Sequence, residues 1–253
     1  MREQIALALR MADTARAIVR GAWLDVQCTT KSDGSPVTLY DQRCEQRLRE
    51  MVQAYSPQSG FIGEEFGGFN EDADQVWVVD PIDGTRPFTA GLPTFTTLIA
   101  LRQAGEFVLG VIEQPILGAR WLAVKGSGCL MNGVRVQVRD CPDLASAALQ
   151  TSGPLAHAHA WFDAMEPLHR QAKIVIYEGD GLGFAILASG GLDVVVDANL
   201  KLYDIAAPLV VLQEAGATVT DWRGRPVTDP GYDGTLLAAG SAAVHAQALE
   251  HLR

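Results

Sequence analysis

The chain has 253 residues, 48% of them hydrophobic and 20% charged, a balance that suits a folded globular protein and excludes an intrinsically disordered one. Twenty basic residues against thirty acidic ones leave a formal charge of −10, which argues against a chain whose main task is gripping nucleic-acid backbones. Apolar runs fall short of the ~20 residues of a spanning helix, and the cysteines (Cys28, Cys44, Cys129, Cys141) form no C-x-x-C pair, so we expect reduced thiols in a cytoplasmic protein without membrane or nucleic-acid partners.

Residues 3–22 set Ile5, Leu7, Leu9, Met11, Ala15, Ile18 and Val19 among charged ones at a helical period, which predicts an amphipathic helix and not a signal peptide. A turn-rich loop, KSDGSP at 31–36, leads to a second helix over 40–52. Asp41 stands near its start, where a carboxylate suits free N–H groups and the helix dipole. From 76 to 124 the runs VWVVD, TFTTLIALR, EFVLGVIEQP and ARWLAVK, separated by Gly and Pro, predict a meander of antiparallel strands. Beyond residue 141 strands and helices alternate. AALQTS and KIVIYEG read as strands around a helix at His159–Gln171. A helix at 183–189, the strand DVVVD, a helix at 205–215, the strands ATVTDW and TLLAAG and a helix at 242–252 follow. Such alternation predicts a mostly parallel sheet covered on both faces. The expected organisation is two packed halves: 1–140, α+β with an antiparallel sheet and most of the acidic site, and 141–253, α/β with a mostly parallel sheet and residues that select substrate.

The chemistry concentrates in VWVVDPIDGTRPF, 76–88. A buried strand ends at Asp80, Pro81 turns the chain, and Asp83 follows three positions on. Gly84 permits close approach of a ligand, and Thr85 offers a hydroxyl and an N–H where a helix could begin. Taken alone, an Asp-Gly turn explains this, but two carboxylates at one buried strand end both need partners. Upstream, FIGEE (61–65) runs a second apolar stretch into Glu64 and Glu65, which alone reads as a solvated loop. Downstream, Asp204 sits at an N-cap position before an apolar helix, and capping accounts for it. If the three clusters converge, they make an all-oxygen site for hard divalent cations, Mg²⁺ or Mn²⁺ rather than Zn²⁺, since no His or Cys accompanies them. Such a pair of ions activates water and stabilises a leaving oxygen, and supplies the positive charge an acidic protein lacks for a phosphorylated ligand.

These motifs resemble the inositol-monophosphatase-like phosphatases over nearly the whole chain, through KSDGSPVTLYD (31–41), FIGEE (61–65), DPIDGT (80–85) and YDIAAPLVVLQEAGATVTDW (203–222). Within that family the chain looks closest to the histidinol-phosphate phosphatase branch, through GLPTFTTLIAL (91–101), IEQP (112–115), Gly179-Asp180 and Tyr203 where inositol phosphatases usually carry Trp. The resemblance implies a layered α/β/α/β/α sandwich and Mg²⁺-dependent hydrolysis of phosphomonoesters, with two or three ions, usually by homodimers. It implies metal binding by Glu64, Asp80, the Ile82 carbonyl, Asp83 and Asp204, and a catalytic set of Asp41, Glu64 and Thr85, in which Thr85 paired with Asp41 orients the attacking water. Substrate contacts would fall to Asp83, Gly84, Thr85, Asp180, Asp197 and Asp204, with the Gly84 and Thr85 amides on phosphate. The branch often has Cys and aromatics where this chain has Gly181, Leu182 and Gly183, and inositol phosphatases favour Glu at Asp197.

Other features are explained more plainly. His157 and His159 read as a solvated loop, GDGLG (179–183) lacks the full dinucleotide fingerprint, Lys31 and Arg86 default to solvent, and the aromatics form no stacking platform. The expected function is hydrolysis of histidinol phosphate. Inositol 1-phosphate or a related polyol phosphate is the alternative within the same chemistry. A non-catalytic binding role, for instance on the transcription machinery, and a nucleotide 3′-phosphatase are the readings from further off.

Overall fold

The computed structural model describes residues 1–24, 26–31, 36–153, 159–228 and 231–252. Residues 32–35 of the expected turn-rich loop, His157 and the side chain of His159 lie outside them. Helix α1 (Arg2–Ala22) lines Leu7, Ala8, Met11, Ala15 and Val19 along one buried stripe, at the i, i+3, i+4 spacing of an amphipathic helix. Helix α2 (Leu39–Tyr55) is longer than expected at both ends. Thr38 starts it: its hydroxyl accepts from Tyr40 N and Asp41 N, and Asp41 Oδ2 accepts from Thr38 N.

Both helices cover one face of an eight-stranded sheet. From edge to edge it runs Val134–Val136, Gly128–Met131, Ala119–Val124, Glu106–Gln114, Thr96–Gln103, Gln75–Asp83, Gly60–Gly63 and Gly67–Phe69. The strands expected between 76 and 124 are antiparallel neighbours, as their short connections require. Gly60–Gly63 joins parallel to Gln75–Asp83 with Gly63 opposite Val79, so the residues that follow, Glu64 and Asp80, stand side by side. Helix α3 (Thr85–Ala90) follows.

Strand alternation sorts the side chains. Trp77, Val79, Ile99 and Leu101 pack with α1 and α2, whereas Val78, Leu98, Ala100 and Ile112 face the opposite way. The second half supplies α4 (His159–Gln171), α5 (Asp180–Ala188), α6 (Leu202–Glu214) and α7 (Ala242–His251). Its five-stranded sheet runs Ile174–Tyr177, Ala148–Thr151, Val194–Asp197, Leu236–Ala239, Thr218–Thr220. Val195, Leu236 and Ala238 share a core with α5, α6 and the first sheet; Val194, Val196, Leu237 and Ala239 pack with α4 and α7. The layers are therefore α/β/α/β/α. Helix α6 lies between two sheets and is buried all round from Ile205 to Leu212, which is why its sequence shows an apolar run and no polar face.

Two expectations are corrected. The second sheet is mixed rather than mostly parallel: Ala148–Thr151 runs parallel to both neighbours, and Leu236–Ala239 antiparallel to both of its own. A parallel pair needs a crossover, and no helix intervenes between Thr218–Thr220 and Leu236–Ala239 to carry the chain back. The central strand does not end at Asp80 either. Pairing with Thr96–Gln103 resumes at Asp83↔Thr96 after an irregularity, and Pro81 sits inside it. A bulge tolerates proline because the missing N–H is not needed there; the Pro81 carbonyl accepts from Thr97 Oγ1 at 2.7 Å.

Candidate active site

The bulge aims both aspartates of DPIDGT to one side. Asp80 is buried, with Oδ1 accepting from Ile82 N at 3.0 Å. Asp83 Oδ2 accepts from Gly181 N at 2.5 Å and from Thr96 Oγ1 at 3.0 Å. Gly84 then turns the chain at φ +86°, a left-handed conformation that favours glycine, and α3 begins at Thr85. Asp204 is not the N-cap of α6. It lies in the first turn, three residues past Lys201, and accepts from Lys201 N at 2.6 Å. Carboxylate oxygens of Asp80, Asp83 and Asp204 all lie within 4.8 Å of one another. Two segments remote in sequence, DPIDGT and the start of α6, thus converge, while Glu64 of the third expected cluster is not part of that group.

Thr85 Oγ1 stands 3.3 Å from Asp41 Oδ1 and 3.2 Å from the Ile82 carbonyl, and its one proton can go to only one of them at a time. Thr38 holds Asp41 by N–H at 2.8 Å and by hydroxyl at 2.5 Å. Glu64 stands beside the triad. Its Oε1 accepts from Lys31 Nζ at 2.8 Å, and Glu65 Oε1 accepts from the same ammonium at 2.7 Å, so Lys31 is a partly buried counter-charge and not a solvated side chain.

A pocket of about 250 Å³ opens onto these groups. Glu64, Asp83, Gly84, Thr85 and Asp204 line it, together with Glu178, Asp180, Asp197, Arg86, Ser152 and Asn199. Asp197 ends its strand as expected and accepts from Ser152 Oγ at 2.9 Å. Asp180, expected just past a strand end, instead opens α5, which begins three residues earlier than the sequence suggested, and takes φ +40°. Its Oδ2 is buried with no hydrogen-bond partner among the described residues. Glu178, Ser152 and Asn199 were not foreseen. The only trace of Glu178 in the sequence is its place in Glu-Gly-Asp at a strand end, and Ser152 and Asn199 reach the pocket through sheet geometry alone.

The site is electrostatically frustrated. Burial pushes the Asp80 pKa well up, reinforced by Glu64, Asp83 and Asp204, and burial with Asp180 and Asp204 does the same to Asp83. Asp204 is pushed up to about 7 by burial and by Glu64, partly offset by the Lys201 N–H. Asp180 also reaches about 7 through burial, Asp197 and Glu178, against the pull of Arg86. Burial raises Asp41 as well, with Thr38 opposing. Buried carboxylates at such spacing call for cations, and a donor set of oxygens alone fits hard divalent ions such as Mg²⁺.

Residues 1–253 match the model of the inositol monophosphatase family. The chain is 39% identical over 230 residues to the bifunctional phosphatase IMPL2, chloroplastic, of Arabidopsis thaliana, covering 88% of this chain and 66% of that one, just under two thirds of its length. It is 35% identical over 228 residues to a histidinol-phosphatase of Chlorobaculum parvum, covering 89% and 88%. A solved inositol monophosphatase from Zymomonas mobilis superposes with a TM-score of 0.89 at 35% identity, over 99% of this chain and 98% of that one.

Proposed function

The chain belongs to the inositol monophosphatase family, a class of metal-dependent phosphatases that typically use Mg²⁺, and from that premise we propose that it hydrolyses histidinol phosphate to histidinol and phosphate. The observation that carries this substrate is that the pocket beside the Asp80–Asp83–Asp204 cluster is lined by three further acids, Glu178, Asp180 and Asp197. The buried, unpartnered Asp180 Oδ2 is costly to keep unless a ligand answers it, and the amine or imidazole of an amino-alcohol phosphate supplies the cation. A neutral polyol answers it less well. The histidinol-phosphatase among the relatives supports the same choice.

In this reading Glu64, Asp80, the Ile82 carbonyl, Asp83 and Asp204 hold the metal. Bound divalent ions supply the charge that draws a phosphate into an acidic pocket and that favours in-line displacement by water. Thr85, held between Asp41 and the Ile82 carbonyl, orients that water, and Asp41, with its raised pKa, takes up the proton. The start of α3, where N–H groups lack partners within the helix, receives the phosphate oxygens at Gly84 and Thr85. A chain kept only for binding a partner would gain stability by losing its mutually repelling acids. Their retention favours catalysis.

The test is phosphate release in Mg²⁺ from histidinol phosphate and from inositol 1-phosphate. We expect kcat/KM to favour histidinol phosphate by at least ~10², about 2.7 kcal/mol. Asp180→Asn should erase most of the gap, mainly through KM, since this contact is alike in ground and transition states. A preference for inositol 1-phosphate would overturn the substrate while leaving metal-dependent phosphatase chemistry in place.

A further inference from the structure

The start of α5 carries Gly179, Gly181 and Gly183, and two different neighbours explain them. A Cβ at Gly179 would stand 2.7 Å from the Gln150 side-chain amide, and one at Gly183 would run into the same amide. A Cβ at Gly181 would instead come within 2.6 Å of Asp83 Oδ2 and press on Thr96 Oγ1. That close approach serves a bond, since Gly181 N–H donates to Asp83 Oδ2 and shares that oxygen with the Thr96 hydroxyl. Two donors on one oxygen fix the rotation of the carboxylate, and a charge-assisted N–H bond is among the stronger means of doing so.

The same N–H belongs to the peptide unit that joins Asp180 to Gly181. Asp180 holds a left-handed φ of +40°, which an L-residue keeps only when its surroundings enforce it. Its carboxylate in turn abuts the bulged segment, where a Cβ at Gly84 would lie 2.9 Å from Asp180 Oδ2. The hydrogen bond that orients Asp83 therefore also holds the backbone carrying Asp180.

We propose that Gly181 is a positioning residue that couples the cation site to the subsite for the substrate's own cation: its N–H sets Asp83 for the metal and, through the same peptide, sets Asp180. This rests on the reading of Asp83 as a metal ligand. The fit is close in this chain, because a Cβ at 181 would press on both Thr96 Oγ1 and Asp83 Oδ2.

The test needs no turnover in its first arm. Thermal unfolding is followed against Mg²⁺ concentration, without substrate, for the native protein, Gly181→Ala, Gly183→Ala and Thr96→Val. Gly181→Ala should raise the Mg²⁺ midpoint about tenfold, the scale of a lost hydrogen bond to a charged group. Gly183→Ala, whose methyl meets the end of the Gln150 side chain, should shift it by less than about twofold. In saturating Mg²⁺, Gly181→Ala should also raise KM for histidinol phosphate more than it lowers kcat. A purely structural glycine would lower the melting temperature in both alanine variants and leave the midpoints alike, which would overturn the proposal. Thr96→Val, which leaves the Gly181 N–H on Asp83 Oδ2, should move the midpoint less than Gly181→Ala. Should Gly181→Ala fail to fold, the native protein decides, since the Gly181 amide should resist hydrogen exchange and change its protection when Mg²⁺ is added. An amide that exchanges at one rate with and without Mg²⁺ overturns the proposal. A native protein whose unfolding ignores Mg²⁺ would remove the metal-site reading itself, a result separate from either variant.

Discussion

Asp80 illustrates what one residue contributes here. It is buried, its pKa is driven well up by burial and by Glu64, Asp83 and Asp204, and it sits at the bulge of the central strand, beside the end of Gly60–Gly63. Asp80→Asn removes one of the repelling charges, so the metal-free protein should melt no lower than the native one. The same change should reduce kcat by at least ~10³, the scale of losing a principal electrostatic stabiliser. Near-normal turnover by Asp80→Asn would refute its role. Thr85 and Asp41 form a second unit, joined by a 3.3 Å hydrogen bond. If they orient one water together, Thr85→Ala and Asp41→Asn should each slow the chemical step, and the double variant should be little slower than either single. Single-turnover rates that multiply would show that the two work apart. Asp80 and Asp83 were legible in the sequence because DPIDGT runs two carboxylates out of an apolar stretch, whereas Asp41 read by itself only as a helix-start carboxylate and its pairing with Thr85 came from the family resemblance. Lys31 was not legible, because its pairing with Glu64 and Glu65 depends on where its loop falls and not on its neighbours in sequence.

Elements were legible where periodicity carried them. The stripes of α1 and α2 and the antiparallel meander follow from local patterns. Helix α6 was visible only as an apolar run, and its true start at the exposed Leu202 places Asp204 in the first turn, where its carboxylate accepts from Lys201 N. Strand direction in the second sheet was misjudged from the general alternation of strands and helices, although ATVTDW and TLLAAG follow one another with no helix read between them, which makes that pair antiparallel. Packing between elements carries its own consequence for the site. Gly110, in Glu106–Gln114, lies under α6, and a Cβ there would stand 2.5 Å from the Ala207 carbonyl, a backbone atom that cannot swing aside. Gly110→Ala must push α6 off the sheet, at a cost of about 1–3 kcal/mol for overpacking. Because α6 carries Asp204, the same variant should bind Mg²⁺ more weakly, read as a higher Mg²⁺ midpoint in thermal unfolding. A variant that loses stability but keeps the native midpoint would show that Asp204 is not positioned by this packing.

At the scale of the whole molecule, the concentration of acid in one pocket makes stability depend on pH in an unusual direction. Asp180 and Asp204 have pKa values near 7 in the folded protein, and Asp80 and Asp83 are well raised, against ~3.9 for an unfolded aspartate. Between those values the folded state binds more protons than the unfolded one, so metal-free stability must fall as pH rises. His169 and His245 work the other way. Burial lowers both below the ordinary 6.5, so folding expels their protons and stability rises with pH until the unfolded histidines have also lost theirs. Above about pH 6.5 that opposition ends, and the aspartates act together with Glu65, which burial pushes up to about 7 against the hydrogen bond from Lys31. The salt-bridged Asp193, held low by the Arg139 bonds despite some burial, loses its contribution only under acid conditions, far from this window. In EDTA, then, the melting temperature should drop between pH 6.5 and 8, and turnover should be abolished. Saturating Mg²⁺ should restore turnover and raise the melting temperature more at pH 8 than at pH 6.5, because cations offset the charges that repel. A melting temperature in EDTA that holds steady or climbs across this window would mean that the acids are not held together as charged neighbours. An equal Mg²⁺ gain at both pH values would mean that the ions bind somewhere other than among them.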